Sequence, residues 1–375
     1  LSNVRHASDL SIFSNSTIIL FDPSSPSRRR RETNPSNFDK VLFEVVIQVL
    51  NSDNFSSFRL TSTIATNMSI IFVYPIISFL WFYNQGFITC FVNLATLTGV
   101  KIDGLEVAKS VKLQVTNIVN DLKTKGITPC LATVLVGDNP ASATYVRNKH
   151  KACEEVGILT KDHTPSAEIT QAGLNKLIEE LNQDETVHGI LVQLPLPSHL
   201  SEFITTTQIL PEKDVDGLTP PNVGLLSIGK AVLVACTPSG IIEMCKYYNI
   251  ELEGKDVVII NRSNLVGKPL YHLLLQNNAT VTTCHSKTKD LKKICLNSDI
   301  IITGVGNREI FKLTPDMIKD GAVVIDVATT RHDGKLSGDA DYSEIIEKTS
   351  FASPVPGGVG PMTVAMLLKN TVTAA

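Results

Sequence analysis

Residues 257–269 read Val-Val-Ile-Ile-Asn-Arg-Ser-Asn-Leu-Val-Gly-Lys-Pro, an apolar strand running straight into a polar turn and then a helix. A strand–tight turn–helix unit aims backbone N–H groups at a phosphate. The usual Gly-x-Gly-x-x-Gly is absent, and one glycine, Gly267, remains where the helix must pack closely on the strand. Gly and Ser at a strand end are often mere turn chemistry, so the neighbouring strands carry the decision. Thr280–Cys284 is followed by His285-Ser286-Lys287-Thr288, where an NAD-binding unit would place an acid for the ribose hydroxyls. A hydroxyl and a cation stand there instead, with Arg262 in the first turn. That set suits a 2′-phosphate, hence NADP rather than NAD. A third strand, Ile300–Thr303, ends in Gly304-Val305-Gly306, which lets bare backbone approach a ligand.

Outward from this unit the chain alternates strands and helices. Apolar runs at Cys130–Val136, Gly189–Gln193 and Ala322–Val327 read as buried strands. Helices are expected over Leu105–Lys125, with Val107, Val111, Val115, Ile118 and Leu122 on one stripe, and over Ser142–Val156, Leu174–Leu181, Ser239–Tyr248 and Leu265–Leu275. The polar stretch up to Gly173 reads as a connection. Strands this apolar, separated by helices, imply parallel sheets covered on both faces, so the fold class is α/β, in two lobes around a cleft.

The chain has 375 residues and a net charge of −3, which argues against electrostatic nucleic-acid binding. Its seven cysteines are scattered with no Cys-x-x-Cys pair, so no zinc ribbon, other metal site or disulfide scaffold is expected, and a reducing compartment, the cytoplasm, suits the chain. Residues 1–97 differ in texture: they hold 11 of the 14 Phe but one of the 22 Gly. Met68–Tyr83 is apolar, yet it is about 16 residues where a spanning helix needs roughly 20, and Pro75 interrupts it. Arg28–Arg31 hints at a transit peptide, which would make the protein organellar, but Asp9, Asp22, Glu32 and Asp39 are wrong for one. Three readings stand: a targeting or anchoring extension, a disordered tail, and upstream sequence translated by mistake. The last is favoured, with the functional protein opening near Leu97. Membrane contact is expected only if residues 60–97 form an anchor.

The first lobe offers side chains for chemistry. Tyr145 and Lys149 sit four apart on one helical face. Such a pair is usually surface packing, but Gln193 ends an apolar strand at Leu194-Pro195, where α/β enzymes place their ligands. Pro211-Glu212-Lys213-Asp214-Val215-Asp216-Gly217 is a charged turn that could equally be a solvated run. Pro354–Pro361 is a stiff, glycine-permissive loop able to line a cleft with backbone. Short-chain dehydrogenases also use Tyr-x-x-x-Lys, but there the nucleotide turn precedes the pair, and here it follows.

ASATYVRNKHKACEEVGI, GILVQLPLP, PEKDVDGLTPPNVG, CTPSGI, NRSNLVGKP, HSKT, VIDV and PVPGGVGPMT, in that order, make residues 98–375 resemble the bifunctional methylenetetrahydrofolate dehydrogenase/methenyltetrahydrofolate cyclohydrolase family. The resemblance implies a catalytic folate-binding lobe over 98–236, completed by the last helix at about 357–375, and a Rossmann-type NADP-binding lobe over 237–356. It implies that Lys149 serves both activities, that Tyr145 packs on the folate, that Gln193 bonds the lysine and that Asp216 holds the pterin. Val192, Gln193, Leu194, Pro356, Gly357, Gly358, Val359 and Gly360 would line the substrate site. Asn261, Arg262, Ser263, Ser286 and Thr329 would contact the cofactor. A homodimer is implied as well. Asn261 stands where the family has glycine, and Ala328-Thr329-Thr330 replaces Gly-Ile-Asn; both departures fall at the cofactor end. A monofunctional cyclohydrolase or dehydrogenase of the same fold, and a non-catalytic nucleotide-binding regulator, are the alternatives.

Overall fold

In the computed structural model the described residues are 99–375, apart from Asp333, and a short antiparallel strand pair, Trp81–Tyr83 with Gly86–Ile88. That pair was not anticipated; otherwise the anchor, targeting and disorder expectations for residues 1–97 lie outside the described residues. Among the described residues no helix is long and apolar enough to cross a membrane.

From β1 (Val100–Lys101) and α1 (Gly104–Thr124) the chain alternates through β2 (Cys130–Val134), α2 (Pro140–Val156), β3 (Leu159–His163), α3 (Gln171–Gln183) and β4 (Gly189–Val192). Short helices α4 (Glu202–Thr207) and α5 (Pro220–Ser227) then lead to α6 (Cys236–Tyr247). A second run follows: β5 (Asp256–Ile260), α7 (Gly267–Gln276), β6 (Thr280–Cys284), α8 (Leu291–Leu296), β7 (Ile300–Thr303) and β8 (Val323–Asp326). A hairpin of β9 (Thr330–His332) and β10 (Lys335–Ser337), then α9 (Tyr342–Ile345), β11 (Phe351–Ala352) and α10 (Val359–Ala374), complete it.

Two parallel sheets result. The smaller has the order β3-β2-β4, and the larger β1-β11-β8-β7-β5-β6. In the smaller, β3 lies on one side of β2 and β4 on the other; in the larger, β6 lies on one side of β5 and β7 on the other. Ligands of open parallel sheets bind beyond the carboxyl ends of strands at such a reversal. In the small sheet that point lies between β2 and β4, where Gln193 begins; in the large one it lies between β5 and β7, where Asn261 and Gly304 begin. A shared apolar core joins the sheets, running from Leu131 through α1, α10 and α6 to Ile259.

Three sequence expectations shift. The first lobe was to open at residue 98, yet Val100–Lys101 pairs with β11 at the edge of the large sheet. β3 was read as a connection because Leu-Thr-Lys-Asp-His is an edge strand with mostly exposed side chains, so it lacks an apolar run. Ile118 is 39% exposed whereas Val119 is buried, since the covered stripe of α1 follows the i, i+4 row Val107, Val111, Val115, Val119.

Candidate active site

Helix α2 starts where it does because the Asn139 side chain accepts the Ser142 N–H (3.1 Å) and Pro140 takes the first helical position, where no N–H is needed. Its inner face is buried by Val146, Cys153 and Val156. Four residues apart on the other side stand Tyr145, 56% exposed, and Lys149, half-buried. Lys149 Nζ donates to Gln193 Oε1 at 3.0 Å, while Gln193 Nε2 donates to the Leu194 carbonyl at 2.7 Å. The second bond fixes which end of the amide faces the lysine, because only a nitrogen can meet a carbonyl. Gln193 N–H donates to Val134 O (2.9 Å), so the side chain is delivered at the reversal point of the small sheet. Next to the lysine, His150 is half-buried, and its Nε2 lies 2.7 Å from Asp162 Oδ1 on β3.

The charged turn at 211–217 divides its labour. Lys213 Nζ donates to the carbonyls of Leu181 (3.2 Å), Asn182 (2.7 Å) and Asp184 (2.9 Å), closing the C-terminus of α3. Asp214 is fully buried and accepts from Leu218 N (3.2 Å), Thr219 N (2.8 Å) and Asn222 Nδ2 (2.9 Å). Asp216 is half-buried, between the buried Asp214 and the exposed Glu212. Desolvation raises its pKa and the nearby Lys149 charge opposes the rise. Behind it, the buried Cys236 thiol, held well above its ordinary pKa by desolvation, lies 3.8 Å from Asp216 Oδ1.

The residues expected to line the substrate site are not alike. Leu194 and Gly357 are partly exposed, and Pro356 and Gly360 are exposed. Val192 and Val359, in contrast, bury their side chains in the two cores, and Gly358 is covered. At those three positions backbone, not side chain, is what a ligand could meet. The loop is seated on α1 through Gly104, whose N–H donates to Gly357 O at 2.9 Å and which leaves no room for a Cβ against Gly358.

At the nucleotide end, Asn261 is spent on the turn itself. Its Oδ1 accepts from Ser263 N (2.8 Å) and Gly267 N (3.0 Å), and its Nδ2 donates to Gly304 O (2.6 Å). The amide therefore ties β5 to β7 across the reversal point. Gly267 is required: a Cβ there would collide with the Asn261 carbonyl. Arg262 and Ser286 are exposed, each two residues beyond a member of the register pair Ile260–Cys284, and among the described residues neither side chain has a partner. Thr329 is exposed just beyond β8. This end fits a dinucleotide phosphate: a helix N-terminus pressed on a strand end, with an uncommitted cation and hydroxyl at adjacent strand tips.

Two buried carboxylates went unread. Asp339 accepts from Thr303 Oγ1 (2.6 Å), Val305 N (2.7 Å) and Gly306 N (2.9 Å), which shapes the Gly304–Gly306 loop. Asp326 accepts from Ala328 N (3.0 Å) and Ala340 N (2.9 Å), and burial pushes it up to about 7. The signal for Asp326 was an acid closing the apolar run Val-Val-Ile-Asp. Asp339 has no comparable local signal, since its partners lie 33 to 36 residues away.

Comparison with known proteins gives this geometry a context. Residues 102–216 match the catalytic domain of the tetrahydrofolate dehydrogenase/cyclohydrolase family, and residues 235–375 match its NAD(P)-binding domain. The chain is 70% identical over 279 residues to the bifunctional protein FolD of Nitrosopumilus maritimus, covering 74% of this chain and 97% of that one. The bifunctional FolD crystal structure from Campylobacter jejuni superposes with a TM-score of 0.71 at 48% identity, over 73% of this chain and 98% of that one. The Trypanosoma brucei methylenetetrahydrofolate dehydrogenase-cyclohydrolase, solved with NADP and an inhibitor, gives 0.69 at 39% identity, over 74% and 97%. With two matched domains and nearly full coverage of its relatives, the chain belongs to the tetrahydrofolate dehydrogenase/cyclohydrolase family.

Proposed function

We propose that the protein oxidises 5,10-methylenetetrahydrofolate to 5,10-methenyltetrahydrofolate with NADP and hydrolyses the product to 10-formyltetrahydrofolate. The observation that carries this is the Lys149–Gln193 bond at the reversal point of the small sheet, with the Asp216 carboxylate close enough for their charges to interact.

Tyr145, exposed one helical turn before the lysine, offers a flat face on which the folate can stack. Asp216 presents two acceptors to paired N–H donors on the pterin edge. The Leu194 carbonyl and the Pro356–Gly360 backbone line the remaining wall. Lys149 Nζ, tethered by the neutral Gln193 amide, can hold a proton near the one-carbon bridge. During hydrolysis it moves a proton as water adds to the methenyl carbon and a C–N bond opens. A bound NADP would supply the hydride acceptor for the oxidative step at that carbon. Asn261, Arg262, Ser263, Ser286 and Thr329 would hold it, with Arg262 and Ser286 on the 2′-phosphate.

In this reading residues 102–236 and α10 form the folate lobe, and 237–356, joined by β1 at the sheet edge, the nucleotide lobe. The protein works as a homodimer in the cytoplasm, a reducing compartment that suits the six cysteines that are buried and free among the described residues. Lys149→Met tests the centre of the proposal. Cyclohydrolase activity should vanish while NADP binding stays near normal. Undiminished hydrolysis by the variant would refute the assignment.

A further inference from the structure

Two chain segments cross beneath the Asp216 carboxylate, and one side chain from the last helix joins them. Asn370 Nδ2 donates to Val215 O at 2.7 Å and to Val234 O at 2.9 Å, and lies 3.7 Å from Cys236 Sγ. Both main acceptors are carbonyl oxygens, so the nitrogen end of the amide must face them. The Cys236 thiol donates to the same Val215 carbonyl at 3.3 Å. Gly217, at φ +65°, lies flush on the Val234–Ala235 backbone with no space for a Cβ. The peptide before Asp216 and the residue after it are thus clamped, while among the described residues the carboxylate itself is hydrogen-bonded only to the thiol and is left for a ligand.

Asn370 is itself buried, on a helix face otherwise covered by Met362, Met366 and Leu367. An amide in that setting carries a desolvation cost that only well-made hydrogen bonds offset. Its two N–H donors are both committed to the clamp.

We propose that Asn370 is a positioning residue for folate binding: it sets the direction of the Asp216 carboxylate, and so makes α10 part of the folate site. The inference rests on the reading of Asp216 as the pterin-binding acid.

The test uses the full chain carrying Asn370→Leu, which keeps the size and removes the donors, and Asn370→Ser, which keeps one donor. KM for methylenetetrahydrofolate should rise about tenfold in the first and less in the second, with the NADP Kd unmoved. On an Asp216→Ala background, Asn370→Leu should add nothing further. The proposal is overturned if folate KM stays unchanged in a folded Asn370→Leu protein, if NADP Kd moves in step with it, or if the two substitutions add fully. Should Asn370→Leu fail to fold, Asn370→Ser is read by the same criteria. If Asp216→Ala alone leaves folate KM unmoved, the reading of the site itself fails, a result distinct from failure of Asn370.

Discussion

Asp214 and Asp216 stand two residues apart in one turn and should give opposite phenotypes. Asp214 has no exposed surface and satisfies three donors, so Asp214→Ala would leave those donors buried and unpaired. A loss of about 3 kcal/mol in unfolding free energy is expected, read by urea denaturation. Asp216→Ala removes a group whose carboxylate, among the described residues, meets no donor except the Cys236 thiol. It should leave the urea midpoint nearly unchanged and weaken folate binding instead. Equal destabilisation by both would contradict this division. At this scale the residues alone showed a charged run, and only the family resemblance singled out Asp216. Burial ranks the members of that run, and burial depends on α5, whose Asn222 folds back onto Asp214.

Among the elements, the nucleotide turn was the most legible, because a strand, its turn and its helix are contiguous and each announces itself locally. The chemistry at its tip is equally local. Arg262 and Ser286 occupy matching positions beyond β5 and β6, and a charge-assisted contact is worth about 1.5–3 kcal/mol. NADP should therefore bind at least about tenfold more tightly than NAD. Arg262→Ala should narrow that gap, measured as the ratio of the two dissociation constants. Equal affinities in the unmutated protein would end the argument. The part of the turn that escaped sequence reading is Asn261. Read as a departure at the cofactor end, it proves to be the tie between β5 and β7, and its partner Gly304 lies 43 residues away. β3 escaped for a different reason: an edge strand with exposed faces has no apolar signature to read.

For the whole molecule, stability should depend on pH in two opposing ways. Asp326 is raised to about 7 by burial, from an unfolded value of 3.8. Between those values the folded state holds a proton that the unfolded state has lost, so stability rises as pH falls from 8 to 5, by on the order of 3 kcal/mol. Asp299 and Asp341 are lowered by their lysine partners, so their contribution is present above the unfolded carboxylate range and is lost as pH falls below about 4. Both are partly exposed, which makes that contribution smaller and dependent on salt. The melting temperature should therefore climb from pH 8 to a maximum near pH 5, then drop, and Asp326→Asn should flatten the climb. A wild-type melting temperature that falls steadily from pH 8 to pH 5 would exclude this role. The sequence by itself determined the α/β class, the run of alternating elements, the nucleotide turn and the Tyr145–Lys149 pair, because each is written in periodicity or spacing over a few residues. Tertiary structure alone decided that β1 crosses to the larger sheet and that Val192 and Val359 turn into the cores. It also decided that Asp326 and Asp339 brace the cofactor loops and that Asn370 holds the turn bearing Asp216. Those outcomes depend on which distant groups are brought together and which lose water, and no local pattern encodes either.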